Sequence, residues 1–218
     1  MRAAEHALRT LFGDSVEVCA MDASVTPDRS HPDEACAIEN AIAKRRDEFA
    51  RGRMCAKAAV RKLTARSYTL PCAPDRTPVW PRGIVGSIAH CAGLCCAVAG
   101  ASPQWTSLGV DVEVVQAMPD SRLVLTRRER AFCTATSIDP LIVFGAKEAF
   151  YKCHFPLFRT FLRFHDVHMD IDQATPFNGI FRATILDAAM PGAAAAPRIK
   201  GAWLVDGGFL FCAAALES

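Results

Sequence analysis

The sequence predicts an α/β (α+β) fold in two halves, residues 1–104 and 105–218. Apolar residues make up 51% of the 218, enough for one large core or two small ones. Short β-branched runs alternate with helical stripes, and the second half repeats the element order of the first: strand, helices, strands. Turn signals at Asn178-Gly179 and at Asp206-Gly207-Gly208 mark hairpins in the second half. No residue-level repeat links the halves.

In chain order, residues 3–12 read as a helix and Val16–Met21 as a strand. A Pro-rich loop covers Thr26–Asp33. A long helical stretch from Asp33 to Leu63 follows, with a break expected near Lys44–Asp47. Phe49, Gly52, Ala56, Val60 and Leu63 form its apolar stripe. Arg46, Arg53, Lys57 and Arg61 fall on another face, as a solvated helix surface would. Residues 65–78 read as a loop. Gly83–Ile88 and Leu94–Ala99 are β-prone, and Gly86–His90 is placed at their connecting end. Gly100–Ser107 carries a Pro and a polar turn, hence the division between the halves. Leu108–Val115 reads as a strand, Asp120–Cys133 and Leu141–Phe155 as helices. Val167–Ile171, Gly179–Leu186, Lys200–Val205 and Phe209–Ala214 complete the strands, and Ala188–Pro197 is a loop.

Net charge is +2 and the pI about 8.1, so charge alone predicts no general polyanion binding and no nucleic-acid partner. Ten cysteines show no Cys-x-x-Cys pair and no zinc-ligand spacing. Many lie in apolar runs such as LCCAVAG, where a thiol behaves as a small apolar side chain. Free thiols suit a reducing cytoplasm. The N-terminus lacks a signal-peptide core, and no apolar run is long enough for a membrane span.

Two stretches carry chemistry. In Gly109-Val110-Asp111-Val112-Glu113, a strand puts Asp111 and Glu113 on one face, with Cα atoms about 6.6 Å apart. Two such carboxylates can converge on a hard cation, with metal–oxygen bonds of roughly 2.0–2.1 Å for magnesium. In Phe144–Lys152, a helix carries Glu148 between Lys147 and Lys152. Acids for a metal beside bases for phosphate are what phosphoryl transfer needs. Read as an exposed strand carboxylate, Asp111 is a minor stability term, so Asp111→Ala is expected to spare the fold.

In this order and spacing, G-V-D-V-E and F-x-x-K-E-A-x-x-K resemble the paired signature of the 4′-phosphopantetheinyl transferases. The long type, associated with surfactin and enterobactin synthesis, fits best. The resemblance runs from about Arg45 to about Asp166 and implies two pseudo-twofold-related α/β halves. It implies a magnesium- or manganese-dependent transfer of 4′-phosphopantetheine from coenzyme A to a serine of an apo acyl or peptidyl carrier protein. Adenosine 3′,5′-bisphosphate is released. Asp111, Glu113 and Glu148 would hold the metal. Glu148 is also the candidate to take the serine proton. Lys147 would bind pyrophosphate; Lys152 would do so or simply pair with Glu148 one turn away.

Upstream, R-R-D-E-F-A-R-G-R resembles the family's first motif and implies phosphate contacts from Arg46 and Arg53. Arg76, before Pro78, is a further candidate, or else a loop arginine in water. Ser87-Ile88-Ala89-His90 resembles the family's Ser-x-Ser-His, with Ala89 where a hydroxyl is common; Ser87 and His90 are the expected contacts. An imidazolium there would make charge-assisted bonds to phosphate. Long-type members imply a monomer. Arg122, Arg127, Arg128, Arg130, Phe132 and Phe150 are candidates for the carrier-facing surface, or else ordinary solvent and core positions. A metal-dependent phosphoesterase and a non-catalytic coenzyme A-binding module are the rival readings.

Overall fold

The computed structural model describes residues 1–27, 34 and 41–218. α1 (Arg2–Phe12) buries Ala4, Ala7, Leu8 and Phe12, a stripe at helical spacing. β1 (Val16–Asp22), α2 (Ala43–Thr64), β2 (Ile84–Cys91) and β3 (Leu94–Ala101) follow. β4 (Trp105–Val114) leads into α3 (Arg127–Thr136) and α4 (Pro140–Phe158). β5 (Val167–Thr175), β6 (Asn178–Ile185), β7 (Lys200–Asp206) and β8 (Phe209–Glu217) close the chain.

These strands form two sheets, ordered β1-β3-β2 and β4-β8-β7-β6-β5. All pairings are antiparallel. The fold is therefore α+β, as the sequence predicts. Cys55, Ala56, Ala59 and Val60 of α2 pack on Cys19, Cys95, Ala97 and Ala99 of the smaller sheet. α1 shares a second cluster with Val110, Val112, Phe211 and Ala213 of the larger sheet. α4 covers the other face of that sheet, with Val143, Ala146, Phe150 and Cys153 against Trp203, Cys212 and Ala214. No helix among the described residues is long and apolar enough to cross a membrane.

Several local expectations change. Residues 28–33 of the Thr26–Asp33 loop and residues 35–40 at the start of the helical stretch from Asp33 lie outside the described residues, and so does Cys36. α2 runs unbroken from Ala43, with no interruption at Lys44–Asp47. Gly86–His90 lies inside β2, and the turn is Ala92-Gly93. The β5–β6 turn is Pro176-Phe177, not Asn178-Gly179. Gly179 serves packing instead: a Cβ there would sit 2.1 Å from the Asp172 carbonyl and 2.7 Å from Trp203 Nε1. The expected Asp120–Cys133 helix is a 3-10 turn at 121–123 followed by α3. Thr126 starts α3 with a capping box, accepting from the Glu129 N–H while Glu129 accepts from its own. The nine described cysteines are free, and seven are buried.

The site depends on how closely α4 approaches β4. Gly109 leaves no room for a side chain: a Cβ would lie 2.0 Å from the Ala149 carbonyl oxygen and 2.7 Å from Cys153 N. The Ser107 hydroxyl donates to the Cys153 carbonyl at 2.6 Å and ties the same two elements. Gly145 faces β8, where a Cβ would meet Cys212 Sγ at 2.9 Å. Gly109→Ala is expected to cost about 1–3 kcal/mol, the usual penalty for overpacking. Denaturant unfolding measures it, and an unchanged midpoint would contradict this packing.

Candidate functional site

A cleft of about 780 Å³ lies between the small sheet and α4. α2 supplies Arg45, Glu48, Phe49 and Arg53; the 73–80 segment supplies Arg76 and Trp80; β2 supplies Ser87 and His90. β4 supplies Asp111 and Glu113 from alternate positions on one face, and α4 supplies Glu148, Tyr151, Lys152 and Arg159. Basic groups therefore surround a cleft whose floor carries three carboxylates.

At the floor, Lys152 Nζ donates to Asp111 Oδ1 at 2.7 Å. This settles the pairing of Lys152: its close partner is across the cleft, not Glu148 one turn away. Burial lowers the Lys152 pKa, but Asp111 beside it outweighs burial and the net shift is upward. Burial raises Asp111 against the pull of Lys152. Asp111 is only 4% exposed, which corrects the expectation of an exposed strand carboxylate. Removing it with alanine strands a lysine ammonium, a change that commonly costs about 3–5 kcal/mol. Asn removes the charge too but keeps the shape and an oxygen acceptor for Lys152 Nζ, so it is the more informative substitution.

Among the described residues, no three His, Cys, Asp or Glu side chains stand gathered as a ready metal site. The donor chemistry nonetheless fits a cation. Asp111 Oδ2 is buried without a hydrogen-bond partner. Burial and then the Asp111 charge push Glu113 up to about 7. Burial raises Glu148 too, and Asp111 adds to it against Lys152. Mutually repelling, desolvated carboxylates with an unused oxygen are what a hard cation relieves.

The upstream residues divide. Arg53 is 4% exposed, buried beside the stripe rather than solvated. Its Nη2 donates to Cys72 Sγ at 2.9 Å, its guanidinium lies 4.5 Å from the Phe49 ring centroid, and its Nε is unpartnered. Gly52 gives α2 its close approach to β2, with Ile88 Cγ2 3.0 Å from a Cβ position. Arg76 is exposed at the cleft with φ 69. The buried Ser87 hydroxyl accepts from Val110 N at 3.0 Å, fixing β2 against β4. His90 Nε2 lies 2.9 Å from Arg45 Nη1. Burial, opposed by Glu48, lowers the His90 pKa, so the free cleft favours a neutral imidazole over the expected imidazolium.

Two expected basic residues are not brought to the cleft. Arg46 is exposed on the first turn of α2 and does not line it; the adjacent Arg45 does. Lys147 is turned about 100° around α4 from Glu148. It is 3% exposed and donates to Glu129 at 2.8 Å and to the carbonyls of Val124 and Phe164 at 3.0 and 2.7 Å. With three donors committed, it serves the fold and leaves none for pyrophosphate. Glu129 also accepts from Met169 N at 2.8 Å. Lys57 likewise pairs with buried Glu34 rather than facing water alone. Of the surface candidates, Arg127 and Arg128 are exposed and Arg122 is bonded to Asp120. Arg130 donates to the Leu125 carbonyl, Phe132 is half-buried and Phe150 is core.

The raised Glu113 gives a signed pH dependence. A folded carboxyl that holds its proton up to about 7 contributes fully below the ordinary carboxylate range and loses that contribution as pH rises through 7. The ligand-free protein is expected to lose thermal stability from pH 5 to pH 8. Glu113→Gln is expected to flatten that slope. Parallel slopes in melting scans would contradict the shift.

Comparison with known proteins gives a consistent family. Residues 33–100 match the model described as 4′-phosphopantetheinyl transferase N-terminal domain. Residues 107–191 match the 4′-phosphopantetheinyl transferase superfamily model. The chain is 35% identical over 193 residues to 4′-phosphopantetheinyl transferase PptT of Mycobacterium tuberculosis, covering 85% of each chain. It is 31% identical to 4′-phosphopantetheinyl transferase Npt of Nocardia iowensis, over 86% of this chain and 89% of the relative. It is 30% identical to enterobactin synthase component D of Escherichia coli O157:H7, over 68% and 71%.

Proposed function

The chain belongs to the 4′-phosphopantetheinyl transferase superfamily, and from that premise we propose that it modifies an apo acyl or peptidyl carrier protein with magnesium bound at Asp111, Glu113 and Glu148. It is an enzyme of the 4′-phosphopantetheinyl transferase class, with coenzyme A as substrate. The observation that carries the finer reading is the cleft itself: a basic rim over desolvated carboxylates, one with an unused buried oxygen.

Residues 1–104 supply most of the cationic rim and residues 105–218 the acids. Arg45, Arg53, Arg76 and His90 hold the phosphates of coenzyme A, with Arg45 in the place expected of Arg46. Phosphate beside His90 reverses the effect of burial and favours its protonated form. Bound magnesium supplies positive charge to the pyrophosphate oxygens. Lys152 adds a second cation at the same place once Asp111 is otherwise engaged. Glu148 accepts the proton of the carrier serine. The serine oxygen then forms its bond to the pantetheine-side phosphorus. The bond from that phosphorus to the bridging oxygen breaks, and adenosine 3′,5′-bisphosphate leaves with the bond electrons. Positioning and charge do most of the work in such a transfer.

The test is intact-mass spectrometry of apo carrier protein incubated with the enzyme, coenzyme A and magnesium. The expected result is a gain of one phosphopantetheine, lost with chelator. Coenzyme A cleavage without carrier modification would favour a phosphoesterase. Coenzyme A binding without turnover would favour a binding module. Asp111→Asn is expected to fold normally and to lower transfer by at least about a hundredfold, the scale of a lost electrostatic contact at a reacting centre.

A further inference from the structure

His154 belongs to α4 but does not line the cleft, and the chemistry described above leaves it unused. It is two residues beyond Lys152, so its side chain leaves the helix about 200° around from that lysine. It is fully buried. Phe150 and Phe158 flank it one helical turn to either side, with ring centroids 5.4 and 4.6 Å away. Neither ring nitrogen has a hydrogen-bond partner. A neutral imidazole always carries one N–H, so a buried donor goes unmet here.

The cover over this ring is the low-complexity run 187–195. Gly192 makes the contact, with φ 84 and no room for a side chain: a Cβ would lie 2.1 Å from His154 Nε2 and 2.6 Å from Phe158 Cδ2. The segment folds on itself. Met190 N donates to the Asp187 carbonyl at 3.1 Å, Ala193 N to that of Met190 at 3.1 Å, and Ala195 N to that of Gly192 at 3.0 Å. Its ends are fixed. Leu186 N donates to the Asp166 carbonyl at 2.9 Å before it, and Ala196 and Ile199 are buried in the core after it. Residues 187–195 are thus a strap, resting on α4 through Gly192 and on the core beside it through Met190 and Ala193.

Charge is missing from this contact. Burial lowers the His154 pKa from its ordinary 6.5, the backbone of Gly192 and Pro191 opposes that, and no charged side chain contributes. On α4, burial pushes the neighbouring Cys153 thiol up to about 12, so it stays neutral. On the strap, Asp187 is exposed and accepts from Ala189 N; Arg198, beyond the strap, is exposed too. An imidazolium has two donors to satisfy and would find no counter-charge, which a buried cation needs. α4 is held on β4 by the Gly109 contact and the Ser107 bond, so the strap is the part that can yield. We propose that His154 is an acid-sensitive latch: once protonated it can no longer stay covered, and residues 187–195 lift from the face of α4 turned away from Lys152. The neutral ring is the form that packs, so the latch is closed above pH 6.5 and opens as pH falls through the lowered folded value. It requires neither coenzyme A nor a carrier protein.

Hydrogen–deuterium exchange of the whole chain tests it, read by mass spectrometry from pH 7.5 to pH 5.0 and corrected for the intrinsic rate. Exchange across 187–195 is expected to rise by up to about tenfold per pH unit below 6.5, while β8 stays protected. His154→Phe keeps an aromatic ring between Phe150 and Phe158 but takes no proton, and is expected to show no such rise. His154→Gln, neutral throughout and smaller against Gly192, is the second variant and carries the same expectation. In the wild type, the imidazole titration followed by NMR is expected to share its midpoint with the exchange. A strap equally protected across the range, the same rise in both variants, or a rise shared by β8 would overturn the assignment.

Discussion

The closeness of α4 to β4 is the constraint on which the site depends. Glycine at 109 lets the helix backbone settle where any side chain would collide with the Ala149 carbonyl. Gly145 does the same against β8, and Ser107 closes the contact with a hydrogen bond to Cys153. Glu148 and Lys152 ride on that helix into the cleft, and Lys152 reaches Asp111 because the helix sits so deep. The packing and the chemistry therefore share residues: the glycine two positions before Asp111 sets the distance that Lys152 spans.

The same helix uses its charged groups in two ways. Lys147 is spent on Glu129 and two carbonyls, a buried polar junction that joins α4 to α3, to the start of β5 and to the turn before it. Such a junction is costly to break because a buried charge would lose its partner. One residue on, Glu148 points to the cleft. Lys152, a turn later, pairs with Asp111 across the cleft. Adjacent charges in one motif thus hold the scaffold and line the site, and the helical turn between them decides which does which.

Much of the fold was legible because hydrophobic period and turn chemistry are local. The Asp206-Gly207-Gly208 hairpin is one case, with positive φ at both glycines where a tight turn needs it. Asn178-Gly179 carried the same signal and was not the turn, because Gly179 was needed for contact with Asp172 and Trp203. The Thr126–Glu129 capping box was readable three residues apart and would have placed the start of α3 correctly. At the site, Asp111, Glu113, Glu148 and Lys152 follow from alternation and helical spacing. The choice of Arg45 over Arg46 does not, because it depends on where α2 begins. Burial of Asp111 and Arg53 is likewise set by the opposing wall, and Arg159 reaches Asp75 across more than eighty residues of chain.

Metal placement tests the central claim most directly, since the proposed function sets one cation among Asp111, Glu113 and Glu148. Crystals grown with coenzyme A and manganese would locate the ion by its anomalous signal. The expected peak lies among Asp111, Glu113 and Glu148, with Lys152 released from Asp111 toward the pyrophosphate. A peak elsewhere, or coenzyme A bound in the cleft with Lys152 still on Asp111 and no ion between the carboxylates, would contradict the account.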